Sequence, residues 1–176
     1  MLTDQERQAV ASTTRVTQVI VLSLVAGVGA FLLFVLTQAE GDEPAAEAAW
    51  GGMIPLAAAL APVHVLLAGG VTAAMAGAQR RSLVQGRTPA TNPPGPTDAG
   101  MLLGGLQVRR IVAGALLEGA AFFNLVVYMQ SRSPFNLAAV VGLLIALVAL
   151  VPLRPLVEAW LEKELRTVRE LRQLAG

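Results

Sequence analysis

Three polar side chains with chemical potential lie inside long apolar stretches of this sequence: Glu118, His64 and Asn124. A carboxylate at the centre of a membrane-spanning helix costs about 2.5–3.5 kcal/mol on insertion scales, so it needs a partner or a proton. A carboxyl group in that position can exchange a proton, bind a cation or hydrogen-bond to a neighbouring helix. These residues therefore form the candidate intramembrane polar site.

Glu118 and His64 occur at similar depths in neighbouring apolar segments. At 1.5 Å per residue, Glu118 lies about 10–12 Å and His64 about 18 Å from the cytoplasmic ends of their segments. Because consecutive segments are antiparallel, the offset is within side-chain reach, and we expect a His64–Glu118 hydrogen bond. Asn124 is expected to face another neighbour or the fourth segment. The helix surface around Glu118 consists of small residues that permit close packing: Gly114, Ala115, Gly119 and Ala121.

Two roles for this site remain open at the level of sequence. A buried acid with a histidine partner commonly provides interhelical hydrogen bonding, worth about 0.6–2 kcal/mol. Proton or cation transfer requires further polar groups along a pathway. An acid–base pair for catalysis has less support, since no substrate-anchoring group is evident nearby. The chain has no cysteine and one histidine, which excludes thiolate sites and the usual zinc sets, and we expect no cofactor, no metal and no enzymatic activity.

Four apolar runs of membrane-spanning length carry these residues. Of the whole chain, 55% is hydrophobic and only 14% is charged, against about 25% charged in soluble domains. Backbone groups in lipid must be bonded within the chain, so each run should be a helix. The first run is longer than the apolar region of about 7–15 residues in a typical signal peptide, which favours a retained membrane span over a cleaved signal peptide. The sequence predicts an all-α, four-helix transmembrane bundle at 16–153, with spans at about 16–36, 53–76, 111–129 and 135–153.

Basic residues indicate the orientation of these spans. Of 13 Lys and Arg residues, two lie before the first run, five in the second connection and five after the fourth run, which leaves only Arg132 on the other side. The first connection is acidic. By the positive-inside rule, both termini are cytoplasmic. The excess of Arg, Ala and Gly suggests a bacterium, and hence a multi-pass protein of the bacterial inner membrane.

The remaining segments are expected in the cytoplasm. Residues 1–15 carry Thr3 and Glu6 at capping-box spacing. The loop 78–110 contains a stretch rich in Pro and Gly at 86–100, typical of a flexible linker. Residues 154–176 predict an amphipathic helix that bends off the fourth span at Pro152 and Pro155. We favour its lying on the membrane surface or against the Pro-rich loop, with a coiled-coil dimerisation segment as the alternative. Its apolar positions are Leu161, Leu165, Val168 and Leu171 or Leu174.

The 13 residues Ala115–Val127, Ala-Leu-Leu-Glu-Gly-Ala-Ala-Phe-Phe-Asn-Leu-Val-Val, resemble the second helix of rotary ATP synthase c subunits. That family places an ion-carrying carboxylate in a helix of small residues, with an aromatic residue about one turn later, and Glu118 and Phe122 match these positions. The second and third runs also form a c-like hairpin. The preceding run lacks the alternating glycines of a c-ring, and the loop is much longer. The resemblance implies that Glu118 carries a proton or cation.

Two functions follow from these observations. The first is a small membrane protein that acts as a non-enzymatic interaction or stabilising subunit. The second is a proton- or cation-handling membrane component that uses Glu118. The expected partners are the lipid bilayer and either further copies of the chain or a larger membrane complex. A net charge of +1 argues against nucleic acid as a partner.

Overall fold

The computed structural model describes residues 2–38, 53–86 and 97–175, and these residues form five α-helices without any strand. The all-α prediction is therefore confirmed. Three helices are long and apolar enough to cross a membrane, and a fourth span exists if two helices separated by a short bent break are counted as one. The helices are α1 Asp4–Gln38, α2 Met53–Val84, α3 Asp98–Ser131, α4 Pro134–Ala149 and α5 Arg154–Ala175. The break between α4 and α5 contains Pro152, where the sequence predicts the bend.

Local capping interactions explain where α1 begins. The backbone N–H of Thr3 donates to Glu6 Oε2 at 2.8 Å, and the N–H of Glu6 donates to Thr3 Oγ1 at 3.3 Å. This reciprocal pair is the predicted capping box. The helix that it starts does not stop before the membrane span, since α1 continues to Gln38 over 35 residues. The N-terminal segment 1–15 is thus continuous with the first span.

Similar interactions end α2 and begin α3. Gly86 has a φ of 65° and donates its N–H to the carbonyl of Leu83 at 3.2 Å, an arrangement that commonly terminates helices. Thr97 accepts a hydrogen bond from the N–H of Gly100 at 3.1 Å and so caps α3. Both helices therefore extend into the segment 78–110 that the sequence assigns to a loop. Residues 87–96 of its Pro-rich stretch lie outside the described residues.

One compact unit, which we call the basic unit, comprises Met1–Ile20, Gly70–Val112 and Val151–Gly176. Twelve Lys and Arg and seven Asp and Glu give it a net charge of +5. Its core contains the apolar face of α5, whose buried positions are Val157, Leu161, Leu165 and Val168. The amphipathic helix is thus as predicted, and its buried face packs against residues of the segment 78–110, such as Leu83 and Leu103, which agrees with one of the two positions that the sequence favours. The four buried side chains pack among those of the helix ends, whereas Leu156, Leu171 and Leu174 of α5 are exposed.

The second unit, here the apolar unit, comprises Val21–Gly69 and Ala113–Leu150. Its core is built from Val, Ala and Leu side chains of α1 to α4. Three pairs of positions join α1 to α3, namely Leu24 with Gly114, Gly27 with Glu118, and Phe31 with Phe122. Residue numbers rise together in both helices, so α1 and α3 run in the same direction, as alternate spans of a multi-pass protein must. A Cβ on Gly114 would lie 2.7 Å from Leu24 Cδ1, so the absence of a side chain at Gly114 lets Leu24 pack directly on the backbone of α3.

Candidate functional site

Glu118 lies on α3 at the boundary between its buried and exposed faces. On one side Leu117 and Ala121 are buried, and on the other Ala115 and Gly119 are exposed, while Glu118 itself is half-buried. Its Oε1 lies 3.6 Å from the position that a Cβ on Gly27 of α1 would occupy. No described residue forms a hydrogen bond or ion pair with this carboxylate. The carboxyl group therefore has apolar and small neighbours but no polar partner within the described chain.

His64 does not provide the partner that the sequence predicts for Glu118. Its Nδ1 lies 2.8 Å from the carbonyl oxygen of Leu60, one turn earlier on α2. Since a carbonyl only accepts, Nδ1 carries the proton and donates. The predicted His64–Glu118 hydrogen bond is thus wrong. Counting residues predicts how deep a side chain lies along its helix, but it does not predict which neighbouring helix the side chain faces. In the structure, the side chain of Glu118 faces α1.

Asn124 belongs to a different polar contact, between α3 and α4. Its Nδ2 donates to the carbonyl of Ala120 at 3.0 Å, and its Oδ1 accepts a hydrogen bond from Asn136 Nδ2 at 3.0 Å. Both asparagine side chains are fully buried. The Oδ1 of Asn136 is buried without any hydrogen bond. The direction of Asn124 towards the fourth apolar run agrees with the sequence analysis, whereas its partner Asn136 was not anticipated.

The structure therefore separates the three candidate residues. Glu118 faces α1, His64 is bonded within α2, and Asn124 is bonded to α4. Asn136 could have been found from sequence, because a second amide in the apolar unit needs a partner just as the first does. Within the described residues, no group of three His, Asp or Glu is arranged to hold a metal ion.

The basic unit contains a set of charged contacts centred on α5. Arg80 donates to Glu164 through Nε at 3.0 Å and Nη2 at 2.7 Å, which makes a two-point ion pair. The guanidinium of Arg109, itself almost fully buried, lies 5.5 Å from the centre of the Trp160 ring. Burial lowers the pKa of Arg109, and the charge of Glu164 opposes that shift. These contacts fix α5 to α2 and α3 in this unit.

Arg172 joins the two helix ends that flank the Pro-rich segment. Its Nη2 and Nε donate to the carbonyl of Leu83 at 2.8 and 3.2 Å, near the end of α2. Its Nη1 and Nη2 also donate to the carboxylate of Asp98, the first residue of α3, at 2.7 and 3.0 Å. The hydrogen bond with Asp98 raises the pKa of Arg172. The guanidinium of Arg172 thus satisfies a carbonyl at the C-terminal end of α2 and a carboxylate at the N-terminal end of α3. A positive charge is favourable at the first of these helix ends and a negative charge at the second.

The fold and these contacts describe an all-helical protein with three or four helices able to span a membrane. No protein-family model, no curated protein and no solved structure matches the chain. The likeness of the segment around Glu118 to c subunits therefore stands on its 13 residues alone.

Proposed function

We propose that this chain is a non-enzymatic interaction subunit of the bacterial inner membrane, which binds another membrane polypeptide through the face of α3 that carries Glu118. Both termini lie in the cytoplasm, as the distribution of basic residues favours. The single observation that carries the proposal is the half-buried Glu118 carboxylate, which no described residue satisfies.

The energetic reason is the low polarity of the surroundings. A carboxylate in a membrane span is costly unless it is paired or protonated, and the expected internal partner His64 is bonded elsewhere. A donor or cation from a second chain would satisfy the carboxylate at its exposed side. Ala115 and Gly119 are exposed beside Glu118, and such small residues allow the backbone of a partner helix to come close.

The proposal is tested by site-specific photo-crosslinking in intact membranes. A photoreactive residue at Gly119 should give a discrete protein adduct, because that position borders Glu118 on the exposed face. The same residue at Leu66 of α2, which is 75% exposed, serves as a control for contact with lipid. We expect no discrete protein adduct at the control position.

A second set of variants connects the adduct with the carboxylate itself. Glu118→Gln retains hydrogen-bonding capacity, so it should keep the Gly119 adduct, whereas Glu118→Leu should abolish it. Failure of both wild-type crosslinking at Gly119 and co-purification of any protein in mild detergent would refute the subunit proposal. Adducts to a second copy of the chain would identify the partner as a homo-oligomer.

The same observation favours a second candidate function, proton or cation handling by Glu118. An unpaired carboxyl in a small-residue helix can hold a proton, and the resemblance to c subunits adds support to this alternative. A hydrophobic carbodiimide reacts with protonated carboxyls in apolar surroundings, so it should label Glu118 and not the Glu118→Gln variant. Labelling that falls as pH rises, or that sodium slows, supports ion binding. Labelling independent of both pH and sodium would contradict it.

A further inference from the structure

A groove of about 440 Å³ opens on the basic unit, beside the last turns of α2 and the end of α5. Among the described residues, its lining combines apolar and cationic side chains and includes no carboxylate. The lining residues are Gly77, Arg80, Arg81, Val84, Gln85 and Leu171. Such a groove suits a ligand that is apolar along part of its length and negatively charged at one point.

The two arginines of the groove differ in their partners. Arg80 is engaged by Glu164 in a two-point ion pair. Arg81 is exposed, and none of the described residues forms an ion pair or hydrogen bond with its guanidinium. In a unit with a net charge of +5, Arg81 therefore offers a free cation to an anionic ligand.

The position of the groove along α2 coincides with the expected edge of the bilayer. The apolar run 53–76 ends one residue before Gly77, and Arg81 lies four residues further, about 6 Å along the helix axis. The headgroup layer on each side of the hydrocarbon is about 5–8 Å thick. Arg81 is thus at the depth of phosphate groups when Gly77 is at the hydrocarbon boundary.

We propose that this groove binds an anionic phospholipid, with its headgroup phosphate against Arg81 and the start of one acyl chain over Gly77. Val84 and Leu171 flank the headgroup and reduce the access of water to the ion pair. Because none of the described lining residues is acidic, they offer no anionic partner for the ammonium of a zwitterionic headgroup. The groove therefore selects a lipid with net negative charge, such as phosphatidylglycerol.

The test uses native mass spectrometry of the full-length protein, purified in detergent and mixed with equal amounts of phosphatidylglycerol and phosphatidylcholine. We expect preferential retention of one phosphatidylglycerol by the wild type. Arg81→Gln should weaken retention about fivefold, the factor corresponding to about 1 kcal/mol per basic residue near an anionic membrane surface. Arg166→Gln removes the same charge from an exposed position of α5 outside the groove, and it should have little effect.

A second pair of variants tests whether the lipid needs the open volume of the groove, independently of the charge of Arg81. A Cβ at either Gly77 or Gly70 would meet no atom within 4 Å. Gly77→Leu and Gly70→Leu are therefore compared, after circular dichroism has shown that both variants keep the helix content of the wild type. Only Gly77→Leu fills the groove, and only that variant should lose the lipid. The proposal is overturned by equal retention of both lipids, by equal losses in the paired variants, or by displacement of phosphatidylglycerol with inorganic phosphate, which would indicate a soluble anion as the ligand.

Discussion

Replacing Leu161 by alanine tests how α5 is held in the fold. Leu161 is fully buried in the core of the basic unit, together with Leu83 and Leu103 from α2 and α3. Removing a buried leucine side chain typically costs 2–5 kcal/mol, with larger losses where neighbours cannot close the cavity. The neighbours of Leu161 belong to other long helices, which cannot easily move to close the cavity. We therefore expect Leu161→Ala to lower the free energy of unfolding by about 3 kcal/mol. Leu174, 85% exposed on the same helix, is the matched control, and Leu174→Ala should change stability by less than about 0.5 kcal/mol.

The assay is thermal unfolding in detergent, followed by tryptophan fluorescence in a Trp50→Phe background so that Trp160 of α5 is the reporter. Leu161→Ala should lower the transition temperature and shift Trp160 emission to longer wavelength at temperatures below the main transition. If α5 lay on the membrane surface, Leu161 would contact detergent or lipid and not Leu83 and Leu103, so Leu161→Ala would change the transition temperature as little as Leu174→Ala. Equal effects of the two variants would therefore refute the packed position of α5.

Two further predictions concern contacts in the two units. Asn124→Ala and Asn136→Ala should each destabilise the protein. A double-mutant cycle should show a coupling free energy of about 0.6 kcal/mol, and at most about 1.7 kcal/mol, as for hydrogen bonds between other membrane helices. Additive effects of the two substitutions would mean that the amides do not interact. Gly105→Ala should cost about 1–3 kcal/mol, because the added methyl occupies the space of the Gln79 side-chain amide, which donates to the Met101 carbonyl. The control on the same helix is Gly119→Ala, because a Cβ at Gly119 meets no atom within 4 Å. Equal melting temperatures for Gly105→Ala and Gly119→Ala would contradict the expected clash.

Hydropathy predicts the all-helical class and the long apolar helices because the requirement for internal hydrogen bonding leaves few alternatives in lipid. It does not predict where those helices end. A helix continues beyond the hydrocarbon until a stop signal intervenes, and here Gly86 ends α2 while Thr97 starts α3. Thr97 was hidden within a stretch rich in Pro and Gly, and it lacks the glutamate that makes Thr3 conspicuous. Composition therefore predicts a loop at 78–110 that is too long, because α2 and α3 both extend into that segment.

The candidate site was predictable in its residues but not in its contacts. Burial cost alone singles out Glu118, His64 and Asn124 as residues that need explanation. Which helices become neighbours depends on the packing of small residues, such as the approach of Leu24 to Gly114 that brings α1 beside Glu118. A single sequence does not show directly which helices pack against each other.

The partners of charged groups differ between the two units, and this difference bears on function. In the basic unit, Arg80 has Glu164 and Arg172 has Asp98, so these charges are neutralised within the chain. In the apolar unit, the described residues leave Glu118 without a polar partner and the Oδ1 of Asn136 buried without a donor. Unsatisfied polar groups cost most where water is scarce. Thr14 Oγ1 of the basic unit is also buried without a partner, so an unmet hydrogen bond alone does not mark a functional site. Glu118 differs because an ionisable group within a membrane span costs far more than an unpaired hydroxyl, and this cost is the reason for proposing that another polypeptide or a bound proton satisfies it.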